Sequence, residues 1–325
     1  MSVQAESPSR QELETASVVP LRHPWRWVSA AIITLLVVMI AYTLVANERF
    51  EWPTVARYLF SRPIIDGLLL TIQLTVIATV ASLILGTMLA LMRTSANPIL
   101  RLSAAAYIWI FRSVPLLVQL ILFYNISALF PTINIGLPFG IGPQFAFGEV
   151  NAIITPMVAA ILAFSLNESA YTAETVRGGL LSVDKGQIEA GRAMGFSEGK
   201  IVWLVVLPQA LRVFIPPFGN QVVNLLKMTS LVSVIALADL LYSAQIIYSR
   251  TFETIPLLIV ASIWYLILVS AMSYGQSLLE ARFAQRGNRV GKATKRSGPT
   301  TDTSRFFALK TGAVQVQATS EKDER

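Results

Sequence analysis

Six long apolar blocks divide the chain, and each has roughly the length of a membrane-spanning helix. A hydrocarbon core about 30 Å thick is crossed by about 20 apolar residues in helical form. The blocks are Val28–Ala46, Gly67–Met92, Tyr107–Phe130, Ala152–Glu174, Phe214–Ala244 and Ile255–Leu279. The pattern therefore predicts an all-α fold, a polytopic bundle of six transmembrane helices.

Charged and helix-breaking residues interrupt two of these blocks. Arg112 and Pro115 lie inside the third block, and Pro216, Pro217 and Gly219 lie in the first half of the fifth. Two interpretations of the fifth block stay open. The backbone unwinds there beside a cavity, or the prolines mark an ordinary helix start.

The composition excludes several classes of function. Hydrophobic residues make up 54% of the chain and charged residues 14%, against about 25% charged residues in a soluble domain. The absence of cysteine and the single histidine, His23, exclude thiolate chemistry and metal sites built from Cys or His. The net charge of +7 has no accompanying aromatic and basic motif, so we expect no nucleic-acid partner.

The distribution of charge predicts the orientation in the membrane. Arg93 and Arg101 lie in a loop without acidic residues, residues 177–212 are net basic, and residues 282–296 are basic without an acid. Because positive loops stay inside, both termini are expected to be cytoplasmic. The first block exceeds the core of a signal peptide, about 7–15 residues, and is interpreted as an uncleaved helix.

The polar stretch between the fourth and fifth blocks is patterned like an ordered loop. Asp184 can cap a short helix, and Gly195 fits the position just beyond its end, where a positive φ is common. A second helical stretch, Ser197–Leu207, is then broken or kinked by Pro208. Such a helix can fit a groove on another protein or lie on the bilayer surface.

The spacing in this loop resembles the EAA motif of ABC-importer permeases. Glu189-Ala190-Gly191 is followed by three residues, Gly195, nine residues, Val205, one residue and Leu207-Pro208. The chain departs from that motif in having Gly191 for Ala and Val205 for Ile.

Further segments resemble the polar amino-acid branch of that family, which handles His, Glu, Gln, Arg and opines. They are FRSVPLLVQL (111–120), ESAYTAETVRGG (168–179), KGQIEAGRAMGF (185–196), LPQALR (207–212) and GNQVVNLLKMTSLVSVI (219–235). Ser113-Val114 stands where usual members have Gly-Thr, and Met228 where they have Asp.

The resemblance implies a type I ABC-importer permease fold and a subunit that carries a polar amino acid across the bacterial cytoplasmic (inner) membrane. Its implied partners are a cytoplasmic ATPase dimer, a second permease subunit (the same chain or a paralogue) and an external amino-acid-binding protein. The sequence has no GxxxxGK[ST] phosphate-binding loop, so we expect no enzyme activity and no cofactor in this chain. ATP would be used by the partner subunit. Contact with the ATPase would involve Glu189, Ala190, Gly191, Gly195, Leu207 and Pro208.

The resemblance also suggests the organisation of the chain. Residues 1–27 would be a cytoplasmic tail, and 28–63 an additional first helix with a periplasmic link. Residues 64–283 would be the permease domain with its EAA coupling loop at 184–212. Residues 284–325 form a basic tail with little apolar content, which is expected to be disordered.

Ionisable and amide residues inside the blocks are candidates for the translocation path. Charge inside a span is costly and commonly functional. Two interpretations stay open: direct contact with substrate, or structural pairing, either as an ion pair of Glu168 with Arg112 or Lys227 or as hydrogen bonds between helices. The candidates are Arg112, Gln119, Asn167, Glu168, Glu174, Asn220, Asn224 and Lys227.

The alternative function is a secondary transporter or channel for small polar solutes that needs no ATPase. Such proteins favour inverted repeats or several buried acids. The sequence contains no internal repeat, and the EAA motif has no explanation under that alternative.

Overall fold

The computed structural model describes residues 24–135 and 145–295, and these are mostly helical. Of the predicted tails, 1–27 and 284–325, residues 1–23 and 296–325 lie outside the described residues. Residues 24–27 belong to the first helix and 284–295 to the last, so the second tail is helical where it is described. The helices are α1 Pro24–Ala46, α2 Trp52–Leu59, α3 Arg62–Thr94, α4 Pro98–Ser113, α5 Leu116–Tyr124, α6 Val150–Ile153, α7 Pro156–Leu181, α8 Lys185–Ala193, α9 Glu198–Ile201, α10 Leu207–Met228, α11 Leu240–Thr251 and α12 Thr254–Lys295. Two short strands, β1 Thr132–Ile135 and β2 Phe145–Glu149, pair antiparallel.

Helix α7 lies at the centre and packs against α3, α4, α5 and α10. Small side chains let these helices approach closely. A Cβ added to Gly86 on α3 would lie 2.7 Å from the Cβ of Thr172 on α7, so only glycine fits there. Helix α7 also buries three alanines against its neighbours, Ala163, Ala170 and Ala173.

Three clusters of buried apolar side chains hold the helices together. The first surrounds Phe164 and joins α3, α5, α7 and α10. The second surrounds Leu240 and joins α2, α3, α11 and α12. The third surrounds Ile108 and joins α3, α4 and α7. None of the three includes a residue of α1.

Among the described residues, four helical stretches are long and apolar enough to cross a membrane: Trp27–Ala46, Arg62–Thr94, Glu198–Ile235 and Thr254–Phe283. A fifth appears if α4 and α5 are counted together across their 98° bend. Helix α7 is long enough, with 26 residues, but contains Asn167, Glu168 and Glu174. The arrangement is compatible with six spans, although that number stays a prediction.

The third block breaks where the sequence predicts an interruption. Helix α4 ends at Ser113, and Pro115 is the residue at the N-terminal cap of α5. The residue before a proline is biased away from helical backbone, and Val114 is accordingly extended.

The fifth block is discontinuous at a different place from the one predicted. Helix α10 continues through Pro216, Pro217 and Gly219, so both the unwinding and the helix start expected there are wrong. The helix instead ends at Met228 and is followed by a 3-10 segment, Thr229–Ile235, and a left-handed Ala236 with φ 56°. The predicted single span Phe214–Ala244 is therefore two helices, α10 and α11, joined by an irregular segment.

Candidate functional site

The first candidate site is the EAA loop, residues 184–212, whose first helix has the predicted caps. The Asp184 side chain accepts a hydrogen bond of 2.6 Å from the Gly186 amide. At the other end, the amides of Gly195 and Phe196 donate to the carbonyls of Arg192 and Gly191 over 2.9 and 3.1 Å. This pair of bonds is a Schellman motif, and Gly195 has the positive φ, 76°, that it requires.

Contacts between α8 and α9 fix the shape of the EAA loop. Arg192 donates to both carboxylate oxygens of Glu198, over 2.8 and 3.2 Å. Hydrogen bonding to this carboxylate raises the pKa of the Arg192 guanidinium. Gly191 is buried, and a Cβ added there would lie 3.2 Å from Ile201. The close approach at Gly191 is thus within the loop itself.

The remaining EAA-motif residues lie on two parts of the loop. Glu189 and Ala190 are exposed on α8, and the neighbouring Met194 side chain is 65% exposed. Leu207 and Pro208 begin α10 directly after a π-helical turn, Val202–Val206. The break predicted at Pro208 is therefore wrong: the helical run continues through it, and the π turn directly before it loosens the backbone where the proline lacks an N–H.

The second candidate site is a cavity of about 480 Å³ lined by residues of α4, α5, α7 and α10. It contains four of the predicted path residues: Arg112, Asn167, Glu168 and Asn224. Two further cavities, of about 370 and 330 Å³, adjoin it through shared Arg112 and Tyr171. Their lining continues along α7 to Gly179, towards the EAA loop. The three cavities together form a groove, which we call the α7 groove.

The charges in the α7 groove are arranged differently from the expected pairs. The Arg112 guanidinium lies over the Tyr171 ring, 5.0 Å from its centroid. Glu174 is paired with Arg177 on the next turn of α7, at 2.6 Å. Within the described part of the chain, no salt bridge joins Glu168 to Arg112 or to Lys227. Lys227 is exposed and lies outside the groove lining.

Several of the predicted amides make hydrogen bonds within and between helices. The buried Gln119 donates to the carbonyls of Phe111 and Val114 over 3.0 and 2.8 Å, and Asn167 donates to Phe111 over 2.8 Å. These bonds satisfy carbonyls freed by the break between α4 and α5. Asn220 accepts from Gln276 on α12 at 3.1 Å.

Sequence reasoning missed several residues of the groove, among them Tyr171, Gln221 and Met228. Tyr171 lies one turn after Glu168, so helical spacing could have indicated that both share a face. Gln221 lines the groove and donates to Thr175 over 2.8 Å. Met228, noted only as a departure from the family pattern, forms part of the cavity wall. Gln221 and Met228 could not be placed in the groove from the sequence, because their position depends on how α10 packs onto α7.

Residues 82–285 match the family described as binding-protein-dependent transport system inner membrane component. The chain belongs to this family. It is therefore an integral-membrane permease subunit of an ATP-binding cassette importer.

Relatives of this permease subunit include proteins named for amino-acid transport. It is 40% identical to the arginine transport system permease protein of Corynebacterium glutamicum, over 83% of this chain and 84% of that one. It is 38% identical to the L-cystine transport system permease protein of Bacillus subtilis, over 68% of this chain and 86% of that one.

A solved structure supports the same fold. The crystal structure of an amino acid ABC transporter with histidines superposes with a TM-score of 0.56 at 35% identity, covering 68% of this chain and 94% of that one. The predicted permease fold is confirmed.

Proposed function

We propose that this permease subunit carries a polar amino acid through the α7 groove into the cytoplasm. The observation that carries the proposal is the cavity itself, in which the Glu168 carboxylate has no salt bridge within the described residues. Arg112 lines the same cavity. One cationic and one anionic side chain suit a zwitterion, whose carboxylate would face Arg112 and whose ammonium or cationic side chain would face Glu168. The arginine- and cystine-transport relatives support this substrate class.

The energy for transport would come from ATPase subunits docked on the EAA loop. Exposed Glu189, Ala190 and Met194 would form the contact surface on α8. The Schellman turn at Gly195 and the two hydrogen bonds from Arg192 to Glu198 would hold α8 and α9 together as a rigid unit. This unit would transmit a movement of the ATPase subunits into α10. Because α10 contributes Gln221, Asn224 and Met228 to the α7 groove, such movement would reach the cavity directly.

The orientation predicted for the chain in the membrane indicates where the remaining partners would bind. The distribution of basic residues supports an orientation in which the EAA loop and both termini would be cytoplasmic. An external amino-acid-binding protein would deliver substrate at the opposite face, and a second permease subunit, the same chain or a paralogue, would complete the pathway.

Reconstitution in proteoliposomes tests the proposed function. The permease is combined with its ATPase and binding protein, and uptake of radiolabelled arginine, glutamine and cystine is measured. We expect uptake that requires ATP on the side of the EAA loop and stops when the ATPase is omitted. Uptake driven by an ion gradient without any ATPase would instead support a secondary transporter.

The role of Glu168 is tested in the same assay by Glu168→Gln. Loss of a charge-assisted contact, about 1.5–3 kcal/mol, should lower uptake roughly 10- to 100-fold. Glu280→Gln is the control, because it makes the same chemical change on α12 at a carboxylate that accepts from Gln276 and lines none of the three cavities of the α7 groove. Equal effects of the two substitutions would contradict a specific role for Glu168.

A further inference from the structure

The irregular segment between α10 and α11 ends at a buried carboxylate that the proposed transport mechanism does not use. Asp239 has no exposed surface. One of its oxygens accepts from the Tyr242 amide at 2.9 Å, which is an ordinary N-cap of α11.

The other carboxylate oxygen of Asp239 connects this segment to a different helix. Asp239 Oδ2 accepts from the Tyr265 hydroxyl of α12 at 3.2 Å. The next amide, that of Leu240, donates to the hydroxyl of the fully buried Thr71 on α3 at 3.1 Å. The start of α11 is therefore tied to two helices by consecutive residues. We call Thr71, Asp239 and Tyr265 the break junction.

Capping alone does not account for an acid at this position. Serine, threonine or asparagine caps a helix as well as aspartate does. Among the described residues, no salt bridge reaches Asp239, so its hydrogen-bond partners are neutral donors. Burying a carboxylate without a cation is unfavourable, and several donors are needed to offset it. The second oxygen and its bond to Tyr265 supply an interaction that a hydroxyl cap would lack.

The helices at the break junction approach each other closely at Gly67. A Cβ added to Gly67 on α3 would lie 2.7 Å from the Asp239 carbonyl oxygen and would also clash with Ser243. Only glycine therefore fits at position 67, where α3 meets the start of α11.

The irregular segment connects the break junction to the cavity. It follows Met228, which forms part of the cavity wall. Val232 and Ile235 within it are buried and belong to the same cluster as Leu116 and Phe164. Leu116 also lines the cavity, so the segment packs behind a residue of the cavity wall at the end remote from the EAA loop.

We infer that the break junction is a positioning device. It keeps the segment 229–239 packed in the cluster of Leu116 and Phe164, and so supports the cavity wall on the side away from the EAA loop. Asp239 and Tyr265 are positioning residues in this role, because they act through the segment and not on the substrate. The inference rests on the proposed function of the α7 groove as the transport path.

Site-directed labelling tests the inference, since the chain has no cysteine of its own. Met228→Cys places a single thiol in the cavity of the assembled complex in proteoliposomes. Its reaction with a membrane-impermeant maleimide applied from the binding-protein side is compared in the parent and Tyr265→Phe backgrounds. We expect the labelling rate to rise about fivefold or more in Tyr265→Phe, together with ATP-independent leakage of preloaded amino acid.

Asp239→Ser, which retains a cap, should raise the labelling rate similarly. The double variant should raise it little further, because both substitutions remove the same hydrogen bond between Asp239 and Tyr265. Tyr274→Phe is the control on the same helix, since that side chain is 68% exposed. It should leave the labelling rate unchanged.

An unchanged labelling rate in Tyr265→Phe would overturn the inference. So would a smaller amount of assembled complex in which the remaining complexes are labelled at the parent rate. Should Asp239→Ser fail to assemble, Tyr265→Phe, which removes one hydroxyl, still decides the question. Failure of the proposed function is distinguishable, because it would appear as absent ATP-dependent uptake in the unsubstituted complex.

Discussion

At the scale of single residues, Gly195 shows most directly how backbone geometry supports the coupling proposal. Its φ of 76° lies in the left-handed region, where a side chain is penalised by about 1–2 kcal/mol. Gly195→Val should therefore distort the turn between α8 and α9 and reduce uptake per ATP hydrolysed by up to about tenfold. The reconstituted complex provides both rates.

Gly199 offers a matched control for Gly195, because an added Cβ meets nothing within 4 Å there and the residue has no positive φ. Gly199→Val should leave the ratio of transport to hydrolysis near that of the parent. Normal coupling in Gly195→Val, with normal amounts of complex, would remove the turn from the coupling mechanism.

At the scale of elements, local signals were sufficient for the caps of α8 and for the break in the third block, but not for Pro208, through which the helical run continues. Asp184, Gly195 and Pro115 act through their own backbone or that of near neighbours, so the caps and the break after α4 could be predicted from sequence. The pair of Glu174 with Arg177 is equally local, three residues apart on one helix, although it was not predicted.

The break in the fifth block could not be predicted in the same way. Pro216 and Pro217 are strong helix-breaking signals, yet the helix continues through them. The segment TSLVSVIALAD is mostly apolar and contains no proline or glycine. Its irregular backbone is held by Thr71 and Tyr265, which are distant in sequence. The position of Arg112 over Tyr171 likewise depends on how α4 is rotated against α7.

At the scale of the whole molecule, the buried clusters and both candidate sites lie in α2 to α12, and α1 stands apart from them. None of the residues in the apolar stretch Trp27–Ala46 of α1 is buried. The family match begins only at residue 82. One link between α1 and the rest is the hydrogen bond from the Trp52 indole to the Leu44 carbonyl, at 3.1 Å. The side chains of α1 are therefore suited to contact lipid and contribute no packing to the described core.

A truncated chain lacking residues 1–47 tests this separation. We expect it to assemble with the ATPase and to retain ATP-dependent uptake within about twofold per complex, because no buried cluster loses a side chain. The basic segments around Arg93 and 177–212 should still place the EAA loop inside, which protease digestion of sealed vesicles measures. Trp52→Phe in the full-length chain is the control, since it removes only the link to Leu44. The opposite result would be a truncated chain that assembles with the correct orientation but does not transport. It would show that α1 acts on the transport path through contacts with a partner subunit, since α1 has no residue in the buried clusters of this subunit.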